Sequence, residues 1–309
     1  MSFITCKYCE SINTSIHGHR KSEATREVIN KRYKCHDCGR TFSFQDEDHN
    51  REAKVLVFDI ETAPMTVFVW GLYKQRIAHT NIISDWFLLS WSAKWLFHPE
   101  TMSDVLTPKE AKAQDDKRIA QSIYSLIDEA DIVIAHNGKK FDMRKLNARF
   151  ISHGLNPPSP YQVIDTLQHS RSNFAFSSHK QDYLTKFLEL PNKLDTDFDL
   201  WVRCFSGEAK ALEEMVEYNR HDVGGLEELY LTLRPWMKSH PNMALYVESD
   251  KKACANCGST KLTLMHRKYY YTSMGKYRVH RCECGAIVRE RLSGLSPAER
   301  SKLTASISR

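Results

Sequence analysis

The chain has 309 residues, 41% of them apolar and 27% charged, with a formal net charge of +6 at pH 7. That length suits one large domain, or one medium domain with small attachments, and the apolar fraction can bury a core. A collagen-like or disordered chain is excluded. No stretch approaches the ~18 consecutive apolar residues of a membrane span, so no membrane partner is expected. The start, Met1-Ser-Phe-Ile-Thr-Cys6, lacks a basic segment followed by an apolar run. It is not a secretory signal, and the expected location is the cytoplasm.

Charge and cysteine are both unevenly spread. Residues 1–52 hold 9 basic and 8 acidic side chains, residues 53–249 hold 22 and 26, and residues 250–309 hold 13 and 4. A basic end on a mildly acidic middle points to an anionic partner, nucleic acid first. A solvated, flexible tail would give the same arithmetic. Eight of the nine cysteines fall into two sets of four at opposite ends, which is a metal pattern.

The first set is Cys6, Cys9, Cys35 and Cys38, followed by Gly39 where a tight turn needs positive φ. Two such close pairs place four thiolates around one tetrahedral Zn²⁺. Without a secretory signal, disulfides are disfavoured. The stretch Tyr33-Lys-Cys-His-Asp-Cys-Gly-Arg-Thr-Phe42 resembles the zinc ribbon at the N-terminus of some insertion-sequence transposases. The resemblance covers residues 1–45 and implies DNA binding.

Between the cysteine sets the pattern alternates. Strands are predicted over 54–60, 66–70, 86–91, 131–136 and 163–167. Helices are predicted over 115–130, 140–153, 181–190, 208–223 and 226–233. A run of strands followed by helix–strand alternation means an α/β fold, a mixed sheet flanked by helices. Cys204, in Trp201-Val-Arg-Cys-Phe205, reads as a buried core thiol.

Three motifs on this framework carry chemistry. In Phe58-Asp59-Ile60-Glu61-Thr62, Asp59 and Glu61 are two apart on a strand and share a face. Two adjacent anions repel unless a cation lies between them, and a hard divalent ion resolves the conflict. In Ala135-His-Asn-Gly-Lys-Lys-Phe-Asp142, a strand end leads to Asp142 at a helix start. Alone, Asp142 reads as a helix N-terminal residue and Asn137 as a turn former. In Tyr218-Asn-Arg-His-Asp222, Tyr218 and Asp222 share a helix face. Alone, that pair reads as an ordinary exposed face.

The second cysteine set is Cys254, Cys257, Cys282 and Cys284, its last knuckle one residue shorter than usual. It predicts a second Zn²⁺ ribbon with a hairpin carrying Arg267-Lys-Tyr-Tyr-Tyr271 and Lys276-Tyr-Arg-Val-His-Arg281. Those tyrosines either stack on the bases of single-stranded nucleic acid or pack the small ribbon core. His266 and His280 read as ordinary strand residues. Both zinc ions are structural, because four cysteines leave no open coordination position.

The order DxE, NxxxFD, YxxxD resembles the DEDD superfamily of 3′–5′ exonucleases in its tyrosine variant, and within it the DnaQ-like exonuclease domain of family B DNA polymerases. The histidine variant would need His at position 217, which is Glu217. The resemblance covers residues 53–235 and implies a ribonuclease H-like fold. It also implies two Mg²⁺ or Mn²⁺ ions held by Asp59, Glu61, Asp142 and Asp222, with Tyr218 orienting the attacking water. Asn137 and Phe141 match the family's second motif and would hold the terminal nucleotide. The segment Leu184-Thr-Lys-Phe-Leu188 matches a packing helix, and Asp165, which matches no ligand motif, is structural.

The expected organisation is an N-terminal zinc ribbon (1–45), the nuclease domain (53–235), a C-terminal zinc ribbon (250–292) and a flexible basic tail (293–309). The expected activity is hydrolysis at the 3′ end of DNA, with single-stranded DNA or 3′ ends as substrate. By the resemblance, the setting would be replication, proofreading or repair in a bacterial or phage-infected cell, with a separate polymerase or replication protein as partner. The alternatives are a non-catalytic nucleic-acid-binding recruitment module and an exoribonuclease, since RNA fits the same motifs.

Overall fold

The computed structural model describes residues 5–6, 8–21, 28–44, 52–191, 196–273 and 275–304. Residues 1–51 and 52–309 are separate units. About fifty residues cannot bury a sizeable core, and the first unit shows it. Its apolar centre is Cys6, Cys35 and Phe42, with Tyr33 and Cys38 packed alongside. Around it runs an antiparallel sheet in the order β1 (Thr14–Lys21), β2 (Val28–Cys35), β3 (Thr41–Phe44). Gly39 takes the positive φ that its turn requires, 71°.

In the second unit, β4 (Val55–Thr62) sets the layering. Its alternate side chains enter different cores. Val55 and Val57 join one apolar cluster, while Leu56, Phe58 and Ile60 join another. A strand buried on both faces must be central and covered by helices on both sides. After a two-residue β5 (Thr66–Val67), paired with β6 (Ile82–Ser84), come β7 (Leu88–Trp95) and β8 (Met102–Val105). Next in the chain are α1 (Pro108–Ala113), α2 (Lys117–Glu129), β9 (Ile132–Ala135), α3 (Asp142–Ser152) and β10 (Gln162–Asp165). The sheet order is β10-β9-β4-β7-β8; β10, β9 and β4 are parallel, and β7 is antiparallel to both its neighbours, β4 and β8.

Helices α4 (Thr166–Asn173), α5 (Gln181–Phe187), α6 (Phe198–Phe205) and α7 (Ala209–Leu233) complete this body. Cys204 is buried, its thiol donating to the carbonyl of Ala211 at 3.2 Å. No helix among the described residues is long and apolar enough to cross a membrane.

Some elements differ from expectation, each for a local reason. The two helices expected over 208–223 and 226–233 are one helix of 25 residues. Gly224-Gly225 costs it about 1 kcal/mol per glycine. Packing of Val223, Leu226, Leu229, Tyr230 and Leu233 in one apolar cluster outweighs that cost. Gly225 also admits the Pro191 carbonyl, which would lie 3.2 Å from an added Cβ. The strand expected over 66–70 stops at Val67, and Phe68, Trp70, Leu72 and Tyr73 stand exposed. The strand expected over 163–167 stops at Asp165, which accepts from Gln168 N at 3.2 Å and so caps α4. Helices α1 and α4 and strands β6 and β8 carry no strong periodicity, α6 is amphipathic over only eight residues, and all are short. Part of the expected flexible tail, Pro297–Arg300, is a capped helical turn, α8, and residues 305–309 lie outside the described set.

The C-terminal segment forms β11 (Leu262–Thr272), β12 (Gly275–Cys282) and β13 (Ile287–Arg289), an antiparallel sheet. It is tied to the end of α7. Asn256 donates to the carbonyls of Arg234 (2.8 Å) and Met237 (3.3 Å), and Met243 N donates to Ala255 O at 2.8 Å.

Two buried polar groups brace the body. The carboxylate of Asp116, 0% exposed, accepts from Leu88 N at 2.7 Å, and its other oxygen meets Arg149 at 2.5 Å and His153 at 2.6 Å. It thereby fixes the start of β7 to α3. Asp116→Ala is expected to cost about 3 kcal/mol in urea denaturation, because it strands a largely buried Arg149. His240 donates from Nδ1 to Pro241 O and accepts at Nε2 from the Tyr230 hydroxyl, 2.9 Å away. Burial lowers its pKa from 6.5 to about 4. The neutral ring is the folded form, so its contribution is full above pH 6.5 and declines as pH falls towards 4. Stability should therefore drop by at most about 3 kcal/mol over that window. His240→Gln, followed by thermal denaturation across pH, should flatten the slope.

Candidate active site

The face of β4 that buries Val55 and Val57 continues as Asp59 and Glu61. Helix α7 supplies Asp222 to the same place. One carboxylate oxygen from each of Asp59, Glu61 and Asp222 lies within 4.8 Å of the other two. At an effective dielectric near 20, each such pair of anions repels by about 3 kcal/mol. The fold imposes this crowding and steadies it. Asn219 Nδ2 donates to Asp59 Oδ2 at 2.8 Å, and Trp201 Nε1 donates to Glu61 Oε2 at 3.1 Å. The cross-strand partners of Asp59 and Glu61 are Ser92 and Ser90. Their buried hydroxyls have no hydrogen-bond partner among the described residues.

Asp142, at the start of α3, is buried just beyond this triad. Burial pushes its carboxyl up to about 7, with backbone hydrogen bonds at Asp142 and Ile60 pulling the other way. Its Oδ1 has no hydrogen-bond partner among the described residues. A buried carboxylate oxygen without a partner, in the cleft that the other three carboxylates share, is compatible with a hard divalent cation such as Mg²⁺ or Mn²⁺. Tyr218 lies one turn before Asp222 on α7, 5% exposed, with its ring set edge-on against Trp201 at 5.6 Å.

Asp59, Glu61, Asp142, Tyr218 and Asp222 line one cleft of about 740 Å³. The turn after β9 brings Asn137 and Phe141 to its wall. Asn137 sits at φ 72°, and its N–H donates to Asp165 Oδ1 at 3.1 Å. An added Cβ on Gly138 would lie 2.5 Å from the Ala135 Cβ, so this turn needs glycine. Asp165 thus braces the turn, as well as capping α4, in the structural role expected of it.

Two residues that hold the carboxylates, and several that line the cleft, carry no motif. Asn219 is the neighbour of Tyr218, and its polar side chain on the buried face of a helix was an available signal. Trp201 lies on α6, whose amphipathic pattern was too short to read. Arg171, His179, Lys180 and Gln181 also line the cleft, with no motif to mark them.

The cysteine sets assemble as expected from their spacing, each within its own unit. Sγ–Sγ distances are 3.7 Å for Cys6–Cys38, 3.6 Å for Cys9–Cys35, 3.9 Å for Cys254–Cys284 and 3.5 Å for Cys257–Cys282. Four sulfurs about 2.3 Å from one central ion stand about 3.8 Å apart in a tetrahedron. A disulfide would need about 2 Å. The thiols are free, and both quartets are compatible with zinc.

The mixed five-stranded sheet with helices on both faces is a ribonuclease H-like fold. Residues 98–234 match the family model RNase_H_2 of the RNase_H superfamily. That match takes in Asp142, Tyr218 and Asp222 and begins after Asp59 and Glu61. A curated relative, the DNA polymerase III PolC-type of Ureaplasma parvum serovar 3, is 27% identical over 169 residues. The alignment covers 52% of this chain and 11% of that protein. Among solved structures, the family B DNA polymerase from the hyperthermophilic archaeon Pyrobaculum calidifontis is 13% identical at a TM-score of 0.42, over 71% of this chain and 31% of that one.

Elemental analysis of protein purified without added metal is expected to find about two zinc ions per chain. Cys254→Ser together with Cys257→Ser should remove about one of them.

Proposed function

We propose that residues 53–235 form a metal-dependent 3′–5′ exonuclease that hydrolyses phosphodiester bonds at the 3′ end of DNA. The reading rests above all on Asp59 and Glu61 of β4 converging within 4.8 Å on Asp222 of α7, the helix that also carries Tyr218. Asp59, Glu61 and Asp222 would hold one Mg²⁺ or Mn²⁺, and Asp59 with Asp142 a second. Bound there, two such ions neutralise charge on the phosphate and make water a better nucleophile.

The chain's own groups do the positioning. Asn219 and Trp201 fix the ligand oxygens of Asp59 and Glu61 before any ion arrives. Tyr218, its ring held by Trp201, presents its hydroxyl to the attacking water. Phe141 is 38% exposed at the cleft wall and offers a ring for the terminal base, with Asn137 beside it. Arg171 and Lys180 supply positive charge for phosphates along the strand. The structural zinc ribbons add affinity that an acidic catalytic cleft lacks. A proofreading role would place the protein beside a separate DNA polymerase.

The test is incubation of the purified chain with 3′- and 5′-labelled single-stranded DNA, duplex DNA and RNA, with Mg²⁺ or Mn²⁺. Stepwise loss of 3′ nucleotides from DNA is expected. Asp59→Ala should abolish it, and Tyr218→Phe should lower kcat about 10²-fold with KM little changed. Cleavage that survives Asp59→Ala refutes the site. Faster loss from RNA than from DNA reassigns the substrate.

A further inference from the structure

The hairpin β11–β12 extends beyond what its ribbon needs. The ribbon core is Cys254, Cys282 and Ala286, with Cys257, Leu262, Cys284 and Val288 against it. None of Tyr269, Tyr270 and Tyr271 belongs to that core, and they are 42%, 52% and 65% exposed. Of the two sequence-based readings of these tyrosines, core packing is therefore set aside.

The two faces of the hairpin differ. Tyr270 pairs with Tyr277 across the strands, and Arg289 lies over both rings, at 5.6 and 4.4 Å. The other face carries Tyr269 and Tyr271, whose cross-strand partners are Arg278 and Lys276. The two rings are 6.4 Å apart, and the Lys276 ammonium lies 4.0 Å from the Tyr269 ring centroid. The register shift between Leu264 and Tyr269, with Arg267 at φ 60°, marks a bulge that bends the hairpin where this platform begins. Residues 261–281 contain six Lys or Arg and no Asp or Glu.

We infer that the Tyr269–Tyr271 face, with Lys276 and Arg278, is a binding platform for single-stranded nucleic acid. It holds the strand upstream of the end that the cleft acts on. Stacked rings accept successive bases without regard to sequence, and the flanking cations take the phosphates. A six-cation, acid-free stretch is complementary to a polyanion and unsuited to an apolar or basic protein partner. The Asn256 bonds to Arg234 and Met237 hold the ribbon at the end of α7, the helix that also carries Tyr218 and Asp222. From Asp222 to Arg234 is about 18 Å along the axis. A strand held by the platform is thus anchored at a fixed reach from the carboxylates. This coupling rests on the nuclease reading, whereas the binding does not.

The test uses the full chain with Tyr269→Ala and Tyr271→Ala combined, with zinc content measured to confirm an intact ribbon. Anisotropy with a labelled single strand of about 30 nucleotides, without added Mg²⁺ or Mn²⁺, should show affinity reduced at least tenfold. Tyr269→Phe with Tyr271→Phe should retain binding, because the rings remain. Lys276→Ala should lower the salt dependence by about one phosphate contact. In hydrolysis, the alanine variant should raise KM for the long strand and leave a substrate of about four nucleotides unchanged. Binding equal to the parent's overturns the platform and leaves that face to a protein partner. An equal rise in KM for both lengths overturns the coupling. Absence of hydrolysis in every variant would count against the nuclease reading, while the binding assay still decides the platform.

Discussion

Three carboxylates that repel one another are held together by a folded body that does not let them part. Asp59 and Glu61 cannot separate, because they continue a strand whose Val55, Leu56, Val57 and Phe58 are buried on both faces. Asp222 cannot retreat, because the turns after it, Val223 to Leu233, are packed into an apolar cluster. The repulsion, about 3 kcal/mol per pair, is small beside that burial, at about 2 kcal/mol for each large aliphatic side chain. Hydrophobic packing therefore dictates the electrostatics of the cleft. A divalent cation bound there would lower the free energy of a geometry already fixed.

Asp142 enters from the other core. Helix α3 is located by Arg149 and His153 on the buried Asp116 carboxylate, and Asp142 is its first residue. The fourth carboxylate and the β4 pair are thus set by independent contacts. They meet at Ile60, whose backbone lies between Asp59 and Glu61 and offsets part of the upward push that burial gives the Asp142 carboxyl.

Much of this was legible in the sequence, where chemistry and periodicity coincide. The alternation of β4 predicted the shared face of Asp59 and Glu61. The four-residue interval in α7 predicted that Tyr218 and Asp222 would look the same way. The cysteine intervals predicted both quartets. What was not legible lies where long-range contacts decide. Nothing local says that α7 runs unbroken through Gly224-Gly225, since packing overrides their weak propensity. Trp201 and Asn219 matter through partners 140 and 160 residues away. The fate of Tyr269 to Tyr271 depended on whether the ribbon core had room for them, which only the register of β11 and β12 reveals.

Helix α7 has one further consequence. At 25 residues it is about 38 Å long, with Asp222 near its middle and the C-terminal ribbon bonded beyond its last turn. The ribbon is therefore not an appendage with its own melting behaviour. Opening the knuckle at Asn256 unpairs the carbonyls of Arg234 and Met237 and uncovers the end of the helix, so ribbon and cleft belong to one cooperative unfolding unit. The N-terminal quartet, with Phe42 and its own cysteines as core, has the makings of a separate one.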